Sequence, residues 1–194
     1  ALNHQVDLYR YETGQVATLF LLNEVDIARS VVIRTAYKSG DMLLVGTSRG
    51  LIAKNLLTGK ISTLEFLPTE LQDDVNSQNV KQLIEMPNGQ LWIGTVKGLY
   101  QMSLAALKKF VISDWSAPLS STIDSQENIW SLRFFDDDSI YVGTERGLFK
   151  TDMSASPLLF MFEPQQNVED ISDKSVKSIA TDKNGNVWIG TQFN

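Results

Sequence analysis

A segment ending in a hydrophobic-Gly-Thr signature occurs four times in this chain at an almost constant spacing. The signature glycines are Gly46, Gly94, Gly143 and Gly190. Successive glycines lie 48, 49 and 47 residues apart, and the copies align without gaps from Val32, Val80, Ile129 and Val176. A fixed period in a fixed context indicates a repeat architecture, in which each copy is one supersecondary unit that packs on its neighbours.

Each copy predicts a small antiparallel sheet. In the second copy, a strand at 80–84 runs into Pro87-Asn88-Gly89, where Asn-Gly tolerates positive φ. Further strands are predicted at 91–95, 99–103 and around 109–112, and in the third copy at 129–134, 140–144 and 148–151. Four short strands joined by tight turns form the blade of a β-propeller, so the chain is predicted to be all-β, with about four such blades.

The second strand of each copy is apolar at consecutive positions instead of alternating. Its sequences are LLVGT, LWIGT, IYVGT and VWIGT. Such a strand is covered on both faces, as a blade between two neighbours would be. The glycine allows a neighbouring backbone to approach closely, and we expect the aligned large side chains to form core between blades instead of stacking on a ligand. These are Leu44, Trp92, Tyr141 and Trp188.

Both ends of the chain are predicted to be half-blades. Strands at 6–11 and 16–22 are joined at Thr13-Gly14, and the last copy stops after its second strand. The predicted units are a half-blade at 1–23, blades at about 31–75, 79–120 and 128–165, and a half-blade at 175–194. Two arrangements fit: the halves combine and close a four-bladed ring, or the chain is a fragment of a larger propeller, which we favour.

Composition argues against several classes of function. The net charge is -6, the pI is about 4.8 and there is no basic stripe, so no nucleic-acid partner is predicted. With no cysteine and only His4 as histidine, neither a catalytic triad nor a metal centre is predicted, and no cofactor is expected. The acidic turns at 73–74, 136–138 and 169–170 invite calcium, but we interpret them as solvated turns.

One polar feature recurs beside the signature. The turn after the second strand carries Arg49, Lys97 or Arg146, with Gln192 in the last copy. The loops before the first strands carry Asn79, Asn128 and Ser175. In a propeller both sets should lie on one face, around the mouth of the central channel. This face is the candidate ligand site; a basic ring would favour acidic sugars or carboxylates of a partner, and the alternative is solvated turn residues.

The repeats resemble a known family. Residues 172–179 followed by Asp182, Gly185 and VWIGT closely resemble the two-component-regulator propeller repeat, and so do Asn79-Val80 with LWIGTVKGL and 140–144 with Gly147-Leu148. The third copy departs at Asp138, where a turn glycine is usual, and the first at Leu44, where an aromatic is usual. The Gly-His and Trp-Asp pairs of WD repeats and the paired glycines of kelch blades are absent.

The resemblance implies an extracytoplasmic, periplasmic sensor domain of a bacterial inner-membrane signalling protein. Such proteins commonly form homodimers and continue into an immunoglobulin-like domain, a transmembrane helix and a histidine kinase or diguanylate cyclase output. We therefore expect non-catalytic binding of an oligosaccharide or other small solute. Two alternatives stay open: a glycan-active enzyme with a cluster of tyrosine, histidine or carboxylate groups at the channel mouth, and a purely structural dimerisation scaffold.

Overall fold

The fold is built almost entirely from β-strands. The computed structural model describes residues 5–24, 31–64, 66, 67, 74–105, 107, 121–124, 127–135, 139–152, 159–162 and 175–191. None of the helices in these residues is long and apolar enough to cross a membrane. Several residues considered above lie outside the described ranges: His4, Asp73, Gln192 and the acidic turns at 136–138 and 169–170.

The described strands form three four-stranded and two two-stranded antiparallel sheets. The first blade contains β3 (Ile33–Ser39), β4 (Met42–Thr47), β5 (Gly50–Asn55) and β6 (Ile61–Leu64). The second contains β7 (Val80–Glu85), β8 (Gln90–Thr95), β9 (Gly98–Ser103) and β10 (Ser121–Asp124). The third contains β11 (Ile129–Phe134), β12 (Ser139–Thr144), β13 (Leu148–Asp152) and β14 (Leu159–Phe162). The half-blades are β1 (Gln5–Arg10) with β2 (Gln15–Leu21), and β15 (Val176–Thr181) with β16 (Val187–Thr191).

The four-stranded meander is confirmed in all three complete copies, with one displaced strand. The fourth strand of the second blade is β10, which pairs with β9 and lies beyond both the predicted strand around 109–112 and the predicted boundary at 120. Residues 109–112 lie outside the described ranges. A one-turn helix, α1 (Val75–Gln78), was not predicted; its cap is Asp74, whose carboxylate accepts the Asn76 amide at 3.0 Å.

The first hairpin is one residue shorter than the others, which corrects the gap-free alignment. Ile33 lies opposite Thr47 as Val80 lies opposite Thr95, so Ile33 and Val80 are equivalent. The gap-free alignment places Val32 against Val80 instead. The short hairpin turns at Gly40, whose φ is 57°, a conformation that glycine adopts without steric cost.

Neighbouring blades meet where the first strand of one blade rests on the signature glycine of the blade before it. The first strands β3, β7, β11 and β15 contact one another in sequence. A methyl group on Gly46 would lie 2.6 Å from Val80 Cγ1, and one on Gly94 would lie 2.6 Å from Ile129 Cγ2. Carbon atoms pack at about 3.5–4.0 Å, so these glycines are required for the close approach that their repetition predicted.

The hydrophobic core is divided into layers between successive sheets. Phe20 lies between the first half-blade and the first blade, Leu44 between the first and second blades, and Trp92 between the second and third. All three side chains are fully buried. The prediction that the aligned large residues form the core between blades is thus confirmed for Leu44 and Trp92.

The last two copies depart from that prediction. Tyr141 is half-buried and Trp188 is 64% exposed. The aligned side chain faces the following sheet, and no sheet follows β15 and β16 in the described ranges. The two half-blades also remain separate sheets there, so the composite blade is not formed and the described residues make an open arc of propeller.

The glycine junction gives a stability prediction. We expect Gly94→Ala to lower the free energy of unfolding by about 1–3 kcal/mol, because the added methyl overpacks against Ile129 of the next blade. Urea denaturation measures this change. Gly190→Ala is the matched control, since the contacts recorded there are with Ser178 of its own sheet, whose hydroxyl can rotate. Equal losses in the two variants would contradict the role assigned to the junction between blades.

Candidate ligand-binding face

The turns that carry the predicted cations are built by the threonine of the signature. The Thr95 hydroxyl donates to the Gly98 carbonyl at 3.1 Å and accepts the Lys97 amide at 3.1 Å. The same pair of hydrogen bonds forms around Thr47 and Thr144, and all three threonines are fully buried. The backbone of each turn is therefore held by a buried threonine hydroxyl, and the cationic side chain on the turn is exposed.

The turns and the loops before the first strands lie on the same face, as predicted. The Asn79 carbonyl accepts the Val96 amide at 3.1 Å, and Asn128 Nδ2 donates to Glu145 Oε1 at 2.5 Å. In the first blade Val32 occupies the place of Asn79, with its carbonyl accepting the Ser48 amide at 2.9 Å. We call this end of the blades the turn face; it is formed by residues 48–49, 96–97 and 145–146 and the loops beside them.

Two of the three turn cations carry their own carboxylates. Lys97 Nζ lies 2.8 Å from Asp74 Oδ2, and Arg146 pairs with Glu127. The hydrogen bond from Lys97 is the main cause that lowers the pKa of Asp74. The interpretation of residues 73–74 as a solvated turn is wrong for Asp74, whose carboxylate caps α1 and pairs with Lys97. Glu127 was not predicted as a partner, because no acidic residue recurs at its position in the other copies. Arg49 is exposed, and the positive charge of the other two turns is compensated.

The polar residues of the loops before the first strands, which we call the lead-in loops, differ in solvent accessibility. Asn79 and Asn128 are half-buried, whereas Ser175 is only 5% exposed. The buried side-chain oxygens of the two asparagines have no donor among the described residues. Two equivalent positions of the turn face therefore hold a buried carbonyl oxygen without a hydrogen-bond donor among the described residues, an arrangement that is uncommon in folded proteins.

A second set of residues at this face was not found from the sequence. In each of the four first strands the pairing register skips one residue, a β-bulge directly after the first buried apolar position. The skipped residues are Arg34, Lys81, Trp130 and Lys177. The one-residue misalignment of the first copy concealed this row, because it matched Ile33 instead of Arg34 with Lys81.

At the opposite end of the blades, Asp182 closes the hairpin of the last copy. Its carboxylate accepts the Asn184 amide at 2.9 Å, the Asn186 amide at 3.0 Å and Trp188 Nε1 at 3.1 Å. Hydrogen bonds from Asn186 and Trp188 lower its pKa to about 2. A cavity of about 690 Å³ lies beside this hairpin. Within the described ranges, no group of three histidine, cysteine or carboxylate residues could hold a metal ion.

Tyr37 and Glu85 form a tyrosine-carboxylate pair between the first two blades. The Tyr37 hydroxyl donates to the Glu85 carboxylate across the first two blades. Burial, together with the hydrogen bond and charge of Glu85, raises the pKa of Tyr37 to about 12. A tyrosine held protonated in this way is a poor general base near neutral pH, and its hydrogen bond to Glu85 joins the two blades.

Comparisons with known proteins agree with this architecture. Residues 170–193 match the family described as two component regulator propeller, and no curated protein matches the chain. The match falls on the last copy, the one whose hairpin begins with Asp182. The chain is therefore a β-propeller segment, and the resemblance stated above is confirmed by this match for its last copy.

Solved structures show the same fold. An extracellular domain described as part of hybrid two component system BT4673 from B. thetaiotaomicron gives a TM-score of 0.72 at 20% identity. The extracellular domain of hybrid two component system BT3049, from the same organism, gives a TM-score of 0.70 at 21% identity. PorZ of the Porphyromonas gingivalis type-IX secretion system gives a TM-score of 0.69 at 16% identity. These similarities cover 98% of this chain but only 24%, 23% and 28% of those proteins, so it spans about a quarter of their length.

The threonine that fixes each turn can be tested directly. Thr95→Val keeps the shape of the side chain but removes both turn hydrogen bonds and leaves the Gly98 carbonyl and Lys97 amide without this partner. We expect a loss of about 1–3 kcal/mol in the free energy of unfolding, measured by urea denaturation. Thr95→Ser retains the hydroxyl and should lose clearly less; a loss as large as that of the valine variant would contradict the role of the hydroxyl.

Asp182 should give the last hairpin a defined pH dependence. Its folded pKa of about 2 lies below the ordinary value near 3.9, so its stabilisation is present above about pH 4 and is lost as the pH falls towards 2. Asp182→Asn should therefore be less stable than wild type near pH 5, and the difference should shrink by pH 2. Fluorescence of Trp188, read against Trp188→Phe, follows this hairpin.

The control for this pH series is Asp41→Asn, which removes an exposed carboxylate from the first hairpin. Its pH profile should follow that of wild type. A difference between Asp182→Asn and wild type that stays constant throughout the acidic range would contradict the assignment of the titration to Asp182.

Proposed function

We propose that this segment is a non-catalytic, ligand-sensing part of the extracytoplasmic propeller of a membrane-anchored signalling protein. The observation that carries the proposal is the match of residues 170–193 to the two component regulator propeller. It is supported by the fold shared with two extracellular domains of hybrid two component systems. The expected location is the periplasm, on a homodimeric inner-membrane protein.

The turn face is the proposed binding surface. Its turns are held rigid by the buried threonines, so a ligand meets groups whose positions are already fixed, which reduces the entropic cost of binding. Asn79 and Asn128 are half-buried on this face, and their polar side chains are the proposed partners for the hydroxyl groups of an oligosaccharide or another small polar solute. Arg49, Lys97 and Arg146 are exposed beside them and can donate to sugar oxygens or carboxylates.

A binding experiment tests the turn face. Acidic and neutral oligosaccharides, such as oligogalacturonate and maltotetraose, are titrated against wild type and Arg49→Ala/Lys97→Ala/Arg146→Ala. We expect the triple variant to bind at least about tenfold more weakly, because hydrogen bonds to charged groups contribute about 1.5–3 kcal/mol each. Lys38→Ala/Lys54→Ala/Lys60→Ala removes three lysines near the opposite end of the first blade and should bind as wild type. Equal binding by wild type and the turn-face variant would contradict this site.

The signalling role is tested by the full-length gene product. We expect a transmembrane helix and a kinase or cyclase domain downstream of the propeller. A secreted product with no membrane segment would contradict the sensor proposal, while leaving the binding surface open to test by itself.

A further inference from the structure

We propose that the four bulged residues form an anion-binding site beside the turn face, in which Lys81 and Lys177 lie against Trp130 and Arg34 adds its charge next to Lys81. The ligand class is a small oxyanion with at least two negative charges, or a solute that carries such groups. The site lies on the inner strands and uses none of the turn cations, so it does not depend on the proposed sensor function.

The first observation is the recurrence of the bulge. In each first strand the register passes from the first buried apolar residue to the second residue after it, so the intervening residue has no cross-strand partner. A bulge redirects its side chain and strengthens the local twist. Three of the four redirected side chains are cations, and because β3, β7, β11 and β15 contact one another in order, the row runs around the inner edge of the arc.

The second observation is that these side chains meet. Lys81 Nζ lies 4.4 Å from the ring centroid of Trp130, and Lys177 Nζ lies 3.3 Å from it. Both distances are measured to one centroid, so the two ammonium groups are closer together than the Debye length of about 8 Å at physiological salt. Their repulsion is therefore poorly screened, and the indole ring offsets only part of it through cation–π attraction.

The third observation is the balance of charge around the row. Burial is the largest cause that lowers the pKa of Lys81, followed by the charges of Arg34 and Lys177, whereas Glu145 opposes the shift. Glu145 already accepts a hydrogen bond from Asn128. Among the described residues, the charges that act on Lys81 are thus two cations and one carboxylate, whereas Lys97 and Arg146 each pair with a carboxylate.

These contacts specify the class of ligand. Two ammonium groups already lie against the ring of Trp130, so a sugar ring that stacks on it would compete with them. A compact anion with two or more charges can accept hydrogen bonds from both ammonium groups and reduce their repulsion. A monovalent anion relieves less of it, and a neutral solute relieves none.

Calorimetric titration with citrate, at constant ionic strength and against acetate, tests the site. We expect wild type to bind citrate measurably and acetate far more weakly. Lys81→Gln/Lys177→Gln should lower the citrate affinity at least about tenfold, equivalent to about 1.4 kcal/mol. Lys38→Gln/Lys54→Gln, which removes the same charge near the opposite end of the first blade, should bind as wild type. Failure of wild type to distinguish citrate from acetate, or equal binding by the Lys81/Lys177 variant, would overturn the proposal.

Two further variants separate the possible outcomes. Trp130→Phe should abolish the citrate-induced change in tryptophan fluorescence, which locates the anion at this ring even if the double lysine variant fails to fold. Arg49→Ala/Lys97→Ala/Arg146→Ala should retain citrate binding. Loss of citrate binding in this turn variant, with citrate binding intact in Lys81→Gln/Lys177→Gln, would overturn the inner-strand site. Loss of saccharide binding with citrate binding intact supports both sites, and unchanged saccharide binding with citrate binding intact would contradict the turn face alone.

Discussion

The seating of each first strand on the signature glycine of the preceding blade is the contact on which the rest of this structure depends. Because no side chain intervenes, the spacing between sheets is set by backbone at Gly46 and Gly94. The second strands β4 and β8 are then enclosed on both faces, and residues at equivalent positions of neighbouring first strands are brought within reach of one another. The contact between Lys81 and Trp130 is a direct result, since a bulkier junction would move the two strands apart.

The threonine that follows the signature glycine has a second structural role. Its buried hydroxyl fixes the backbone of the turn, so the position of the turn does not depend on which side chains it carries. The turn face consequently carries two kinds of cation. Lys97 and Arg146 on the turns are matched by carboxylates of the lead-in loops, whereas the cations of the inner row crowd around an indole ring. The two groups of cations thus differ in whether a carboxylate neutralises their charge, more than in the number of basic residues.

The sequence predicted what depends on local pattern: the blades, their turns, the glycine contact and the shared face of turns and loops. It failed where the outcome depends on a neighbour. Trp188 has the same pattern as Trp92, yet it is exposed because no described sheet covers it. The partners of Lys97 and Arg146 lie in non-repeating segments, and α1 is too short for any periodic signal. The bulges were missed because they keep the apolar pattern of each strand and because the first hairpin is one residue shorter.

The bulge in each first strand has a consequence for how such a repeat can change. A residue outside the pairing ladder can be exchanged without disturbing a cross-strand partner, so its identity is separated from the folding of its blade. The third copy illustrates this freedom, since Trp130 stands where the others have Arg34, Lys81 and Lys177. Each repeat therefore contributes one position to the inner row that can be substituted independently of the others. The charge and polarity of that row can then change one repeat at a time.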